Sequence, residues 1–137
     1  MTVRWPEAVG ERLTLTWSGE GAASAMVEAA AERYFELTGV LAAAHTLGVS
    51  PVLYRRTDRG AGVFVGPAKV SVGIVDLRRR CAAMVLDWRA EEKSGRAEII
   101  WCWRDSGGRS VTIPEAARIG ILALDGPRIP VRDRSST

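Results

Sequence analysis

The feature that most constrains this chain is a change of period near Pro51. Across residues 22–47, Met26, Ala29, Ala30, Tyr34, Leu37, Val40, Leu41 and Ala44 recur at helical spacing. On the same stretch Glu28, Glu32 and Glu36 stand four residues apart and form one charged stripe. Gly39 dents this pattern without ending it, and Gly48 and Pro51 close it. Beyond Pro51 the apolar residues alternate with polar ones, the period of strands. One dominant helix and several strands must bury their apolar faces against each other. The expectation is an α+β fold in which one long central helix is wrapped by an antiparallel sheet of five or six strands.

The strands can be placed from alternation and turn residues. Residues 12–17 set Leu13, Leu15 and Trp17 against Arg12, Thr14 and Thr16. A turn around Ser18 and Gly21 leads into the helix, with Ser18 or Ser24 as an N-cap. A short strand is expected at 52–56, a turn at 57–62, a long strand at 63–77 that bends at Pro67, and strands at 81–91, 96–104 and 109–113. Turns are expected at 93–95 and 105–108, and a small helix at 115–124. Residues 1–126 read as a single domain and 127–137 as a loose tail.

Composition narrows the function classes. The chain has 137 residues, 47% hydrophobic and 26% charged, with a net charge of +3, and only Lys69 and Lys93 among its basic residues are lysines. A surface so mildly basic suits phosphate groups and lacks the strength of a nucleic-acid binder. Cys81 and Cys102 are far apart in sequence and read as buried, reduced thiols, and a single histidine, His45, argues against a metal site. Residues 1–13 hold no apolar signal segment, and no run reaches the ~18 apolar residues of a membrane span. A cytoplasmic protein without membrane or nucleic-acid partners, metal or cofactor is expected.

Several stretches resemble the 4-hydroxybenzoyl-CoA thioesterase-like proteins of the hotdog fold. Arg33-Tyr34-Phe35-Glu36 looks like an "RYFE" segment of that family. The run from Gly66 through Pro67, Ala68 and Lys69 to Val70 resembles the start of its long third strand, and the run from Gly107 to Pro114 and Arg118 resembles its close. The resemblance spans roughly residues 11–118. It implies a hotdog domain that hydrolyses a thioester of coenzyme A or of an acyl-carrier protein. It also implies a homodimer or homotetramer with active sites between subunits. One branch of the family places an aspartate just before the helix. Ungapped alignment through Tyr34 puts Gly21 there, and a one-residue shift puts Glu20 there. Another branch carries its acid inside the helix, where Glu28 is the nearest candidate.

Thioester hydrolysis needs an acid to activate water or attack the acyl carbon, and donors for the developing oxyanion. Free amides at a helix start supply such donors, and Gly21 and Ala22 are small enough to let a carbonyl approach. The catalytic candidates are therefore Glu20, Glu28 and Ser24. The substrate-binding candidates are Gly21, Ala22, Arg55, Arg56 and Arg59, with Arg78, Arg79 and Arg80 as further phosphate holders. Each has a plainer reading: Glu20 as a charge favouring the helix start, Glu28 as part of a solvated stripe, Ser24 as a cap, the arginines as solvated strand ends. The alternatives to a hydrolase are a non-catalytic protein that binds an acyl thioester or small hydrophobe and, less favoured, a dehydratase or isomerase. The last would need an acid beside His45, and none stands a turn away. The motif Gly19-x-Gly21-x-x-Ser24 lacks the third glycine and the second parallel unit of a dinucleotide site.

Overall fold

Strand alternation decides which faces are buried. In a computed structural model of the chain, which describes residues 3–7, 12–18, 21–60, 63–64 and 67–130, five strands form one antiparallel sheet. They are β1 (Leu13–Trp17), β3 (Ser50–Gly60), β5 (Ala68–Leu77), β6 (Cys81–Ala90) and β7 (Lys93–Arg104), in the order β1-β5-β6-β7-β3. A separate two-residue pair joins β2 (Gly21–Ala22) to β4 (Val63–Phe64). Val70, Val72 and Ile74 of β5, Met84, Leu86 and Trp88 of β6, and Ile99 and Trp103 of β7 point into the main core. Leu13, Leu15 and Trp17 of β1 pack beside them, as their alternation predicts.

The helix layer differs from the expected single rod. The stretch forms α1 (Ala23–Leu37) and α2 (Val40–Leu47), separated at Thr38 and Gly39. Gly39 has φ +80°, a conformation open to glycine and strained for residues with a Cβ. The Thr38 hydroxyl turns back to donate to the Tyr34 carbonyl at 2.8 Å. The buried face of α1 keeps the expected Met26, Ala30 and Tyr34 but is rotated toward Val27, Ala31 and Phe35, leaving Ala29 at its margin and Leu37 48% exposed. Phe35 meets Trp101 and Trp103 edge-on at 5.0 and 6.3 Å between ring centres, so the tryptophans serve the core.

Several boundaries also move. β3 continues through the expected turn to Gly60, and the β6–β7 turn lies at Glu91 and Glu92, where Glu91 has φ +52°. Gly95 therefore stands inside β7, opposite Trp88; a Cβ there would lie 2.5 Å from the indole ring. The expected last strand is a single bridge between Arg104 and Ser110. The opposite sheet face carries a second small cluster, Val75, Ala83 and Val85, covered by Val3 and Trp5. Helix α3 (Glu115–Asp125) follows as expected and runs into a 3-10 turn at Gly126–Arg128, with Ile129 against the core. Residues 131–137 of the expected tail lie outside the described residues.

One buried carboxylate ties these parts together. Asp125, fully buried, accepts the Tyr34 hydroxyl at 2.5 Å and the Ile74 amide at 3.0 Å, and pairs with Arg12 at 3.1 Å and Arg128 at 3.6 Å. The Ile74 amide lies beside a register shift in β5 between Ile74 and Asp76. Pairing with β1 ends at Leu13 and Val72, so the Ile74 amide lies beyond the last β1 pair, and Asp125 takes it. Burial, then the neighbouring carboxylate, raise the Tyr34 hydroxyl far above its ordinary pKa.

Unfolding measurements test this packing. Asp125→Ala strands Arg12 and Tyr34 and should cost about 3–5 kcal/mol, against about 1.5–3 kcal/mol for Tyr34→Phe, measured by urea unfolding. Because the folded state keeps the Tyr34 proton where the unfolded chain releases it, stability should fall as the pH rises above about 10. That fall should be shallower in Tyr34→Phe. At Gly120 of α3, a Cβ would stand 1.6 Å from the Thr38 carbonyl oxygen. Gly120→Ala should push α3 away from the α1–α2 corner and cost about 1–3 kcal/mol, seen as a lower melting temperature.

Candidate functional site

The start of α1 is built from small residues. Its N-cap is Ala22, extended at φ −78° and ψ 137°, and among the described residues no side chain caps the helix. No acidic residue stands in its first turn. The expected caps differ because β2 intervenes between Ser18 and the helix, and Ser24 already lies inside the first turn. The first amides of a helix have no partner within it, so this end offers donors at the positive end of the helix dipole. Gly21 and Ala22 are held by pairing to Phe64 and Val63. Ser24 is exposed on the same helix. Glu20 lies outside the described residues.

Glu28 stands one turn beyond Ser24, and its side chain is 71% exposed. Arg56 of β3 reaches it at 3.6 Å and also grips Asp58 with Nε and Nη2 at 2.8 and 3.0 Å. The Arg56–Glu28 contact brings the helix and the edge strand together across the mouth of the inner face. Sequence reasoning groups Arg56 with Arg55 and Arg59, but the strand separates them. Arg56 pairs in register with Ile99 on the core face, whereas Arg55 and Arg59 pair with Ile100 and Arg96 on the opposite face. The grouping misses this because a period of two sends neighbours to opposite sides. Arg59 donates to the buried Glu98 at 3.3 Å.

The other arginine group lies in the β5–β6 turn. Arg118 of α3 donates to the Arg78 and Arg79 carbonyls at 2.7 and 3.3 Å, and the Ile113 amide donates to that of Arg79 at 2.9 Å. The turn backbone is thereby fastened, Arg78 pairs with Asp76 at 3.2 Å, and Arg79 and Arg80 are exposed. His45 is exposed in the last turn of α2, and among the described residues no carboxylate pairs with it. A groove of about 580 Å³ opens among Arg59, Lys69, Asp87, Arg89, Ser94 and Arg96. None of its lining residues belongs to α1, so it is separate from the Glu28–Arg56 site. Among the described residues no three histidine, cysteine or acidic side chains converge as a metal site would need. No described helix is long and apolar enough to cross a membrane.

A helical layer laid on an antiparallel sheet in this strand order is the hotdog fold, the fold of the 4-hydroxybenzoyl-CoA thioesterase-like proteins that the sequence resembles. Solved structures with this fold overlay most of the chain. A thioesterase from Thermus thermophilus, in complex with coenzyme A and zinc, is 22% identical, with a TM-score of 0.66 over 86% of this chain and 96% of that one. A protein from Staphylococcus aureus in complex with coenzyme A is 12% identical, with a TM-score of 0.70 over 94% of this chain and 92% of that one. A 4-hydroxybenzoyl-CoA thioesterase variant, in complex with 4-hydroxybenzoyl-CoA, is 13% identical, with a TM-score of 0.66 over 80% of this chain and 97% of that one. No family model and no curated protein matches the sequence.

Proposed function

We propose that the chain hydrolyses acyl thioesters, of coenzyme A or of an acyl-carrier protein, at the start of α1. The observation that carries this reading is the juxtaposition there of an uncapped helix N-terminus, the exposed Glu28 carboxylate and Arg56 from the edge strand. The structural likeness to proteins described as coenzyme A complexes and thioesterases supports it. The thioester carbonyl accepts hydrogen bonds from the first amides of α1, near Ala22 and Ser24. Glu28 takes a proton from water, which attacks the carbonyl carbon. The tetrahedral intermediate then collapses, breaking the C–S bond and releasing a carboxylic acid and the carrier thiol. Arg56 positions Glu28. Glu20 is the rival acid, and Ser24 positions water or substrate. Arg79 and Arg80, with Arg55, offer exposed guanidiniums for the carrier's phosphates.

The same reading makes β3 a subunit contact. It is an 11-residue edge strand that, among the described residues, pairs only with β7, and Val52, Leu53 and Tyr54 are 41, 47 and 64% exposed. A long edge strand with an exposed apolar stretch invites pairing unless something covers it. A second copy, in a homodimer or within a homotetramer, would cover it and enclose Glu28 and Arg56 from the open side.

Release of free thiol from a panel of acyl-CoA thioesters tests the activity. Glu28→Gln should lower kcat by about 10²–10⁴-fold with little change in KM, whereas Glu20→Gln should leave most of the rate. The reverse pattern would move the acid to Glu20, and full rates in both variants would sink the mechanism. Thioesters that raise the melting temperature without turnover would favour the binding protein. In light scattering, Leu53→Glu should convert the oligomer to monomer and reduce turnover with it.

A further inference from the structure

The two cysteines, distant in sequence, face each other across β6 and β7. Cys81 pairs in register with Cys102, and both carry reduced thiols. The phase of the ladder matters here. The Trp103 amide donates to the Arg80 carbonyl at 3.3 Å, so positions 80 and 103 form the hydrogen-bonded pair and 81 and 102 the next, non-hydrogen-bonded one. In an antiparallel sheet such pairs have their α-carbons about 4.5 Å apart with the side chains drawn close, inside the ~4.4–6.8 Å range of disulfides. The Cys81 thiol is near enough to hydrogen-bond the Cys102 sulfur. Cys81 is 8% exposed and Cys102 is half-buried, so Cys102 is the more accessible of the two.

We propose that Cys81 and Cys102 form a redox-active dithiol, a modification site whose oxidant is a low-molecular-weight disulfide. The Cys102 thiolate attacks one sulfur of the oxidant, forms a mixed disulfide and expels one thiolate. The Cys81 thiolate then attacks the Cys102 sulfur and expels the second, leaving a Cys81–Cys102 bond and two small thiols. The two protein thiols are oxidised as the small disulfide is reduced, and two protons pass to the released thiolates. The bond would fasten β6 to β7 where the Arg78–Arg80 turn begins.

Burial raises both thiols above their ordinary pKa. For Cys81 the charge of Cys102 and Asp76 adds to this and Arg78 opposes it, while Arg104 opposes it for Cys102. Exchange should therefore quicken as the pH rises from 7 toward 9, since the thiolate is the attacking species.

The full-length protein, incubated with excess oxidised glutathione, is unfolded in acid, alkylated and weighed intact. The expected product has lost two hydrogens, retains no glutathione, takes up no alkylating agent and runs as a single chain on a non-reducing gel. Dithiothreitol should restore both thiols. Peptide mapping should find the 81–102 link, and the oxidised protein should melt several degrees higher. Cys81→Ser should instead hold one glutathione on Cys102. A wild-type protein that keeps both thiols alkylatable, retains glutathione, or links between chains would overturn the proposal. Peptide mapping of the wild type does not depend on whether the variant folds.

Discussion

Asp125 is the constraint on which the rest of the structure depends. A carboxylate with no exposure must be surrounded by donors and cations, and those it finds come from four separate parts of the chain. Arg12 precedes β1, Tyr34 lies in α1, the Ile74 amide belongs to the β5 bulge, and Arg128 follows α3. Apolar packing is non-directional, so the burial of Met26, Val27, Ala30 and Ala31 does not by itself fix the position of α1 on the sheet. The hydroxyl–carboxylate bond removes that freedom at the C-terminal half of α1. Gly120 acts beside it, since α3 can reach the α1–α2 corner only where it has no side chain.

This distribution of restraint shapes the candidate site. The C-terminal half of α1 is fixed by Asp125, the Thr38 hydroxyl and the Phe35–Trp101–Trp103 cluster. Its N-terminal end is held by the short β2–β4 pair and lacks a capping side chain. The stiff end thus belongs to the core, and the other end carries Glu28, which meets Arg56 of β3. The hydrolysis proposed above needs its donors in place before substrate arrives, and a helix anchored at its far end meets that need.

What is legible in the sequence is what period and turn residues encode. The alternation of Leu13, Leu15 and Trp17 and of Met84, Leu86 and Trp88 gives the inner face directly. Met26, Ala30 and Tyr34 inward and Glu28, Glu32 and Glu36 outward follow from helical spacing, while the exposure of Leu37 beside the break at Gly39 does not. Other features are illegible for physical reasons. Gly39 either fits within a helix or breaks it, and packing of α3 against Thr38 selects the break. β3 reads short because an edge strand with polar residues on both sides lacks the alternation of a half-buried one. Nothing local marks Asp125 as the partner of Tyr34, since the two are 91 residues apart. At the candidate site, the family resemblance brings Glu28 forward as one of two acids, but the arginine that meets it is not separable from Arg55 and Arg59 until the register of β3 is known.

The cysteines show how much depends on one turn. They are equally far from the Glu91–Glu92 pair, so a two-residue hairpin there sets them opposite each other. A turn at 93–95 would not. Asn, Asp and Gly usually supply the positive φ of such a turn, and here Glu91 does, which hides the turn from composition-based reading. The residue that looks like the turn glycine, Gly95, instead lets the Trp88 ring lie against the β7 backbone. Moving the turn by even one residue would exchange the faces of β7 relative to β6. The indole of Trp88 then loses its glycine, and the two thiols lose each other, so the packing requirement that places Gly95 also creates the Cys81–Cys102 pair.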